Sequence, residues 1–360
     1  MTELQDLTAH LVSIPSHEEP TRAGDAIESW LRTETDASVT RDDVGNVIAR
    51  RGEGPSLALI GHHDVVPPAD SQVDGDEYVV ESRDGRLYGR GTADMKGAVA
   101  AMALAFRDAD PDGELVFASF VGEEDGGVGA RAAIGAGFAP DYAVVGEGST
   151  GYSAEGVLDV AVAHKGRRGS TVVAEGSAAH ASEPEAGENA IYRASDAIDE
   201  IRDLPVPETT VFGRTMQGSV AVTEIDGGTA WNVIPERCEV IVDERTVPGE
   251  RADLGRTEAV PGVEWRVDQD LPPMRCDDEP FASHVVAAAN EVQESTGETV
   301  TKPHATDAGW LAEAGTTTLV CGPAEPGEAH TAEESVSLEV LTTARRCCER
   351  VASTWPGRKA

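Results

Sequence analysis

The chain has 360 residues, 40% of them hydrophobic, which is enough for two domains, and it contains no apolar run of 18 residues and no recognisable secretory signal. We therefore expect a cytoplasmic protein without a membrane partner, and the net charge of −36 disfavours nucleic acid as a partner as well. An acidic excess of this size in a chain with recurrent apolar runs is typical of halophilic proteins, whose self-repulsion is screened by molar salt.

The first 150 residues alternate between helix-like and strand-like segments. LTAHLVSI and DAIESWLRTE predict helices, whereas SLALIG, ELVFASFV and DYAVVG predict short buried strands. The alanine-rich stretch from Gly97 onward, between the first two of these strands, predicts a buried helix. Alternation of this kind indicates an α/β fold with a mostly parallel sheet that is covered by helices on both faces.

The pattern changes after about residue 165. One segment, NAIYRASDAIDEIRDL, predicts an amphipathic helix, and four segments of alternating polarity predict strands: RRGSTVVAEGS, GSVAVTEIDGG, RCEVIVDERTVP and VEWRVDQD. They favour an antiparallel sheet with helices on one side. From about residue 274 the first pattern returns. We therefore predict a discontinuous domain, residues 1–165 plus 274–360, interrupted by a smaller α+β domain at residues 166–273.

Histidines and carboxylates recur where the predicted strands of the first domain end. They are His62, His63 and Asp64 after SLALIG, Glu123 and Glu124 after ELVFASFV, Glu147 after DYAVVG, and Glu328 and His330 after TTTLVCGP, with Asp94 at the head of the alanine-rich helix. Open sheets bind ligands at the carboxyl ends of their parallel strands, so these side chains are predicted at one edge. Imidazoles and carboxylates in these numbers suit two divalent metal ions.

Each of these residues also has a structural interpretation. A histidine at a strand end can be a hydrogen-bonded structural residue, Asp94 can be a helix N-cap, and a Glu–Glu pair can be solvated surface in a chain this acidic. Their combination at one sheet edge favours the metal site. The five cysteines are odd in number and lack CxxC spacing, which disfavours both a disulfide framework and a cysteine–zinc site.

Several motifs together resemble the zinc-dependent amidohydrolases that include succinyl-diaminopimelate desuccinylase, acetylornithine deacetylase and dimeric carboxypeptidases. The motifs are GHHDVVP, YGRGTADMKG, GEEDGG, VVGEGS, AHASEPEAGENAI, WNVIPERCEVIVDERTVPGE, HATDAGWLAEAG and GPAEPGEAHTAEE, and they span nearly the whole chain in the family's order. Together with the charge, the resemblance indicates a haloarchaeal-type member. It implies a di-metal aminopeptidase-like catalytic domain, with the insert as a lid or dimerisation domain.

The resemblance also implies roles for single residues. The two metal ions would be held by His62, Asp94 and Glu147 and by Asp94, Glu124 and His330. Asp64 would orient the His62 ring, whereas His63 falls on a variable position of the motif. Glu123 would be the general base, and the peptide bond from Asp94 to Met95 is expected to be cis. Zinc is the expected metal, with cobalt and manganese as alternatives.

The remaining assignments concern the substrate. His180 in the insert would stabilise the oxyanion, often across a dimer interface, so a homodimer through the insert domain is expected. Arg245 would hold a substrate carboxylate, with a buried structural arginine that pairs with Asp243 as the alternative. Asn232, Thr306 and Asp307 are candidates for further substrate contacts.

The resemblance predicts hydrolysis of an amide bond in an N-acyl amino acid. GHHDVVPPAD and GRRGS favour N-succinyl-LL-2,6-diaminopimelate as the substrate, which would place the enzyme in lysine biosynthesis. An acetylornithine deacetylase or a related lysine- or ornithine-releasing hydrolase is the alternative. A carboxypeptidase or dipeptidase, and a non-catalytic metal-binding protein, are further alternatives. Two departures bear on the subfamily: Gly148 replaces the usual proline after Glu147, and the glutamate pair follows Val-Gly.

Overall fold

The computed structural model describes residues 2–355 and divides the chain into two compact units. The first unit comprises Met1–Ala163, Met274–Lys302 and Thr306–Ala360, and the second comprises His164–Pro273 and Pro303–Ala305. The functional assignment of the two units, as a catalytic domain and as a lid or dimerisation domain, stays a prediction.

The described residues form eight α-helices and three short 3₁₀ segments. The α-helices are α1 (Glu3–Ser13), α2 (Thr21–Glu34), α3 (Lys96–Asp108), α4 (Val128–Gly135), α5 (Ala190–Arg202), α6 (Glu279–Val292), α7 (Asp307–Glu313) and α8 (Leu338–Thr354). The 3₁₀ segments are Asp70–Gln72, Pro184–Ala186 and Leu254–Ala259.

The same residues form 22 strands. They are β1 (Ser38–Arg41), β2 (Val47–Arg51), β3 (Ser56–His62), β4 (Val73–Asp74), β5 (Glu77–Tyr78), β6 (Glu81–Arg83), β7 (Arg86–Tyr88), β8 (Glu114–Phe120), β9 (Tyr142–Val145), β10 (Val160–His164), β11 (Gly166–Glu175), β12 (Ala179–His180), β13 (Glu208–Val211), β14 (Arg214–Gln217), β15 (Ser219–Gly227), β16 (Val233–Ile234), β17 (Arg237–Thr246), β18 (Val263–Leu271), β19 (Met274–Arg275), β20 (Thr299–Lys302), β21 (Thr317–Val320) and β22 (Ser335–Ser337).

The main sheet of the first unit is mixed, with a parallel centre. Its strand order is β1-β2-β8-β3-β9-β21-β10-β19, and β20 also pairs with β10. The four neighbours β8, β3, β9 and β21 are parallel, whereas β1, β2 and β10 join antiparallel to their neighbours. The predicted α/β class is confirmed, and the parallel part is confined to the centre, where the candidate ligands follow the strands.

Apolar burial on both faces explains why the central strands were visible in the sequence. All seven residues of β3 are buried, as are the four of β9. Parallel strands covered on both sides lack polar alternation and appear as continuous apolar runs. Helix α3 is equally enclosed, with 11 of its 13 residues buried. A Cβ at Gly61 would lie 2.8 Å from Met95 Cε and 2.9 Å from Val99 Cγ2, so glycine lets the helix lie against the sheet.

The second unit contains a four-stranded antiparallel sheet in the order β15-β17-β11-β18. Strand β17 alternates between buried and less buried positions, as expected for a sheet with one covered face. The buried face packs with α5 in one cluster that includes Val172, Val240 and Val242 from the sheet and Ala194 and Ala197 from the helix. The separate antiparallel insert with a helix on one face is therefore confirmed.

No helix among residues 2–355 is long and apolar enough to cross a membrane. All five cysteines are free and buried.

Candidate metal centre

The candidate centre lies where the parallel strands of the first unit end. Neighbouring parallel strands end at the same edge of a sheet, so the residues that follow them can meet. Six side chains reach this edge from five segments: His62 at the end of β3, Glu123 and Glu124 after β8, Glu147 after β9, His330 after β21, and Asp94 shortly before α3. The peptide bond between Asp94 and Met95 is cis, as predicted.

One group of donor atoms is formed by His62, Asp94 and Glu147. His62 Nε2 lies 3.0 Å from Asp94 Oδ1 and 3.3 Å from Glu147 Oε1. His62 and Glu147 are buried, and Asp94 is partly exposed. One imidazole nitrogen and two carboxylate oxygens converge on the same point, which is a ligand set typical of catalytic zinc sites.

A second group is formed by Asp94, Glu124 and His330. His330 Nε2 lies 3.1 Å from Asp94 Oδ2 and 3.1 Å from Glu124 Oε1. Asp94 therefore offers Oδ1 to the first group and Oδ2 to the second. His330 adopts a left-handed backbone conformation with φ of 61°. The arrangement gives one bridging carboxylate between two donor groups of the same composition.

The spacing of these atoms fits divalent metal ions. In each group the donor atoms lie within 4.8 Å of one another. Ligands about 2.1 Å from a tetrahedral zinc ion stand roughly 3.4 Å apart, close to the separations observed around His62 and His330. Donor atoms of His62, Glu123 and Glu124 also lie within 4.8 Å of one another. Glu123 is therefore near enough to be either a ligand or a base beside the ions.

The two adjacent histidines differ in their surroundings. His63 is fully buried, and its Nδ1 lies 2.8 Å from Ser119 Oγ, away from both donor groups. His62 Nδ1 lies 3.0 Å from the main-chain oxygen of Asp64 and 3.5 Å from its carboxylate. The main-chain oxygen is thus the closer acceptor, and the Asp64 carboxylate instead accepts from the Glu124 N–H at 3.2 Å.

The titration behaviour of the centre reflects crowded carboxylates. Burial lowers the pKa of His62, but hydrogen bonds to Asp64, Asp94 and Glu147 outweigh it and leave the pKa well above its usual value. Hydrogen bonds to Asp94 and Glu124 raise the pKa of His330 to about 10. Two histidines that hold protons so strongly indicate an anionic environment, which also favours metal cations.

Glu123 differs from the proposed ligands in its surroundings. Burial raises its pKa well above the usual value for glutamate. The charge of His62 opposes this shift, and the carboxylates of Glu147, Asp307 and Asp94 add to it. A carboxylate with a raised pKa suits proton transfer near neutral pH.

Two residues at the centre were missed by the sequence analysis. Lys302 is buried, and its Nζ lies 3.1 Å from Glu147 Oε2, so Glu147 has one oxygen towards His62 and the other towards this cation. Glu334 is buried and accepts from the Asp94 main-chain N–H at 3.1 Å. For Lys302 a signal existed, because lysine is rare among the 29 basic residues of the chain. For Glu334 the signal was its place as the last residue of the motif GPAEPGEAHTAEE, four residues after His330.

Thr306 and Asp307 lie at the start of α7. The Thr306 hydroxyl accepts from the Ala308 N–H at 3.2 Å and caps the helix. The Asp307 side chain is buried, and neither carboxylate oxygen has a hydrogen-bond partner within residues 2–355. Burial raises its pKa to about 7, with His62 opposing and Asp64 and Glu147 adding to the shift. Their role as substrate contacts stays a prediction.

His180, Asn232 and Arg245 all lie in the second unit. The pairing of β12 with β16 brings His180 opposite Val233, next to Asn232, whose main-chain oxygen accepts from Ala181. His180 is exposed, and its Nδ1 lies 2.7 Å from Ser182 Oγ. Arg245 Nε donates to Asp243 Oδ1 at 2.8 Å while the side chain keeps 37% of its surface exposed. The pairing agrees with the structural alternative for Arg245 but the exposure does not, so both roles of Arg245 stay predictions.

Comparison with known proteins assigns the family. The model of peptidase family M20/M25/M40 matches residues 58–354. The chain belongs to the M20/M25/M40 peptidase family. The match includes all six residues at the candidate centre, and the family resemblance predicted from the motifs is confirmed.

Curated relatives of this M20/M25/M40 member carry the name acetylornithine deacetylase. The protein from Vibrio campbellii is 30% identical over 323 residues, covering 82% of this chain and 80% of the relative. The protein from Yersinia pseudotuberculosis is 30% identical over 316 residues, covering 82% of this chain and 78% of the relative.

Solved structures of the family share the fold. Aminopeptidase PepT from Bacillus cereus superposes with a TM-score of 0.80 at 20% identity and covers 97% of both chains. A metallo-carboxypeptidase from Sulfolobus solfataricus gives a TM-score of 0.76 at 14% identity, covering 99% of this chain and 100% of that one. A dinuclear metal-binding M20 peptidase from Bacillus subtilis gives a TM-score of 0.72 at 18% identity, covering 97% and 96%. At these identities the likeness shows the fold alone.

Proposed function

We propose that this M20/M25/M40 member is a metal-dependent hydrolase that cleaves the amide bond of an N-acyl amino acid. The observation that carries the proposal is the pair of donor groups that share Asp94, each with one histidine and one further glutamate. Glu123 lies beside both groups with a raised pKa. A shared carboxylate, two imidazoles and an adjacent base together suit hydrolysis better than structural metal binding.

The ligands of the two ions are proposed to be His62, Asp94 and Glu147 for one and Asp94, Glu124 and His330 for the other. Zinc is the first choice, with cobalt and manganese as alternatives. When bound, such ions lower the pKa of a coordinated water to roughly 7 and polarise the amide carbonyl. Lys302 holds Glu147 from the side opposite His62, which favours binding through one glutamate oxygen.

Glu123 is proposed to accept the proton of the attacking water and to donate it to the leaving amine. Burial and neighbouring carboxylates favour its protonated form, so the carboxyl group can return the proton near neutral pH. Asp64 supports the centre through His62 Nδ1 and through the Glu124 N–H.

The second unit is proposed to supply substrate contacts. His180 would stabilise the oxyanion, and Arg245 would bind a substrate carboxylate with the guanidinium nitrogens that do not face Asp243. Asn232, Thr306 and Asp307 would add further contacts. A homodimer through the second unit, as the motifs imply, belongs to the same proposal.

N-Acetylornithine is the substrate class that the relatives favour. The two curated relatives described above are named acetylornithine deacetylase, so they support the alternative from the sequence analysis better than its main prediction. N-Succinyl-diaminopimelate remains a second candidate because GHHDVVPPAD and GRRGS favour it. A role in arginine or lysine biosynthesis follows from whichever substrate is cleaved.

Hydrolysis assays with N-acetylornithine, N-succinyl-diaminopimelate and a set of dipeptides test the substrate class. Glu123→Gln should lower kcat by about 10²–10⁴-fold, the range expected for loss of general acid–base catalysis. It should still bind two ions in a metal titration, because the glutamine leaves both proposed donor groups intact.

Asp125→Asn is the matched control, because Asp125 is the exposed carboxylate two residues further on. It should keep both the activity and the two ions. Undiminished turnover in Glu123→Gln would exclude the proposed base. Loss of one ion in that variant would instead assign Glu123 as a ligand.

A further inference from the structure

A buried carboxylate joins the segments that carry two of the proposed ligands. Glu334 follows His330 by four residues, and its side chain has no exposed surface. Its Oε1 accepts from the main-chain N–H groups of Gly91, Ala93 and Asp94 at 2.9, 3.0 and 3.1 Å. Its Oε2 is paired with Arg90. Four donors on one carboxylate satisfy a buried charge that would otherwise be costly.

The surrounding backbone keeps the two segments in register. Strand β7 pairs antiparallel with β22, so the chain before Asp94 runs beside the chain after His330. The Gly89 N–H donates to the main-chain oxygen of Glu334 at 3.0 Å. Gly91 has φ of 89°, a conformation that suits glycine, in the turn whose Gly91, Ala93 and Asp94 N–H groups point to one oxygen.

The two donor groups depend on this link to different extents. His62 ends β3 and Glu147 lies two residues after the neighbouring parallel strand β9, so the hydrogen bonds of the main sheet fix their separation. His330 lies outside any strand, in the loop between β21 and β22. On its C-terminal side the Glu334 N–H donates to the Thr331 main-chain oxygen at 3.3 Å, and the Thr331 hydroxyl donates back to the Glu328 main-chain oxygen at 3.1 Å.

We propose that Glu334 is a positioning residue that fixes Asp94 and His330 relative to each other and thereby sets the affinity of the second donor group for its metal ion. The inference rests on the metal centre of the proposed function and adds a residue that acts through the ligands rather than on the ion. It predicts that the two ions respond unequally when the Glu334 carboxylate is changed.

Titration of the metal-free protein with zinc or cobalt, followed by calorimetry, tests this inference. Wild-type protein should bind two ions. Glu334→Gln should weaken the second ion at least tenfold and clearly more than the first, because His330 loses its link to Asp94 whereas His62 and Glu147 stay fixed by the main sheet. Since Glu334→Gln leaves Arg90 buried without a counter-charge, Glu334→Asp serves as a second variant. It keeps the charge, is one methylene shorter, and should shift the second ion in the same direction.

Glu333→Gln is the matched control. It makes the same chemical change one residue earlier, at a side chain that is 76% exposed and pairs with Arg83, and it should bind both ions as wild type does. If Glu334 had only a general structural role, its substitution would weaken the binding of both ions equally. Equal weakening, or unchanged affinity for both ions, would overturn this inference but not the proposed metal centre. A wild-type protein that binds fewer than two ions would overturn the proposed metal centre and this inference together.

Discussion

At the residue scale, strand geometry separates two identical neighbours. Successive side chains of a strand point to opposite faces, so His62 and His63 diverge although they are adjacent. His62 reaches the donor group with Asp94 and Glu147, whereas His63 is enclosed beside Ser119. His62 is therefore a proposed ligand and His63 a packing residue. Their positions along the chain, and not the type of side chain, separate the two roles.

His63 should make folding sensitive to acid. Burial lowers its pKa to about 3, from an ordinary value of 6.5. The unfolded chain therefore binds a proton between pH 6.5 and 3 that the folded chain does not, so stability is lost as the pH falls through this range. Between pH 7.5 and 5 the contribution is about 2 kcal/mol. When the pH is lowered from about 7.5 to about 5, the free energy of unfolding of His63→Gln should therefore fall by about 2 kcal/mol less than that of the wild type. Denaturant titration at both pH values measures this difference.

The matched variant is His62→Gln, which changes the neighbouring ring. His63→Gln should still bind two metal ions, whereas His62→Gln should lose at least one. Equal pH dependence in wild type and His63→Gln would show that the pKa of His63 is the same in the folded and the unfolded chain, which contradicts the prediction.

At the element scale, strands and helices that are buried on both faces could be predicted from the sequence. Strands β3, β8 and β9 are largely apolar and buried, and the proposed ligands His62, Glu124 and Glu147 lie at or just after their ends. The short pairs β13–β14 and β4–β5 carry no such signal. Lys302 and Glu334 were missed for another reason. They contact residues 155 and 240 positions away, and a partner at that separation leaves no local pattern.

Close approach of two strand ends supports the Glu147 side of the centre. Gly322 follows β21, and a Cβ there would lie 1.9 Å from the Gly146 main-chain oxygen and 2.5 Å from that of Glu147. Because both obstacles are backbone atoms, Gly322→Ala should separate the ends of β9 and β21. We expect a loss of about 1–3 kcal/mol in the free energy of unfolding and weaker metal binding. Denaturant unfolding and metal titration measure the two effects.

Gly135→Ala is the control for this substitution. Gly135 is the last residue of α4, and an added Cβ would meet nothing within 4 Å. Alanine there should be neutral or stabilising by up to about 1 kcal/mol, because it favours the helix. An unchanged free energy of unfolding in Gly322→Ala would show that the ends of β9 and β21 can accommodate the added methyl group.

At the scale of the whole molecule, the chain is strongly acidic and poor in lysine, yet two of its lysines are buried. The chain has 65 acidic residues and only four lysines among its 29 basic ones, yet Lys96 and Lys302 are both buried in the first unit. Lys96 Nζ donates to the Ile14 main-chain oxygen at 2.6 Å, and Lys302 pairs with Glu147. Lysine carries a compact ammonium on a flexible stem and here reaches one oxygen at each site, whereas the buried Arg90 pairs with the Glu334 carboxylate.

The net charge of −36 should make folding depend on salt. The Debye length is about 10 Å at 0.1 M and about 3 Å at 1 M, so repulsion between neighbouring surface carboxylates is screened only at high ionic strength. The melting temperature should therefore be markedly lower at about 0.1 M KCl than at about 2 M, with metal saturating in both. Sucrose at low salt is the control, because it is excluded from the protein surface but adds no ions. It should restore little of the lost melting temperature if charge screening is the cause. An unchanged melting temperature across this range would mean that the surface pairs of arginine with acidic residues already balance the repulsion without added ions.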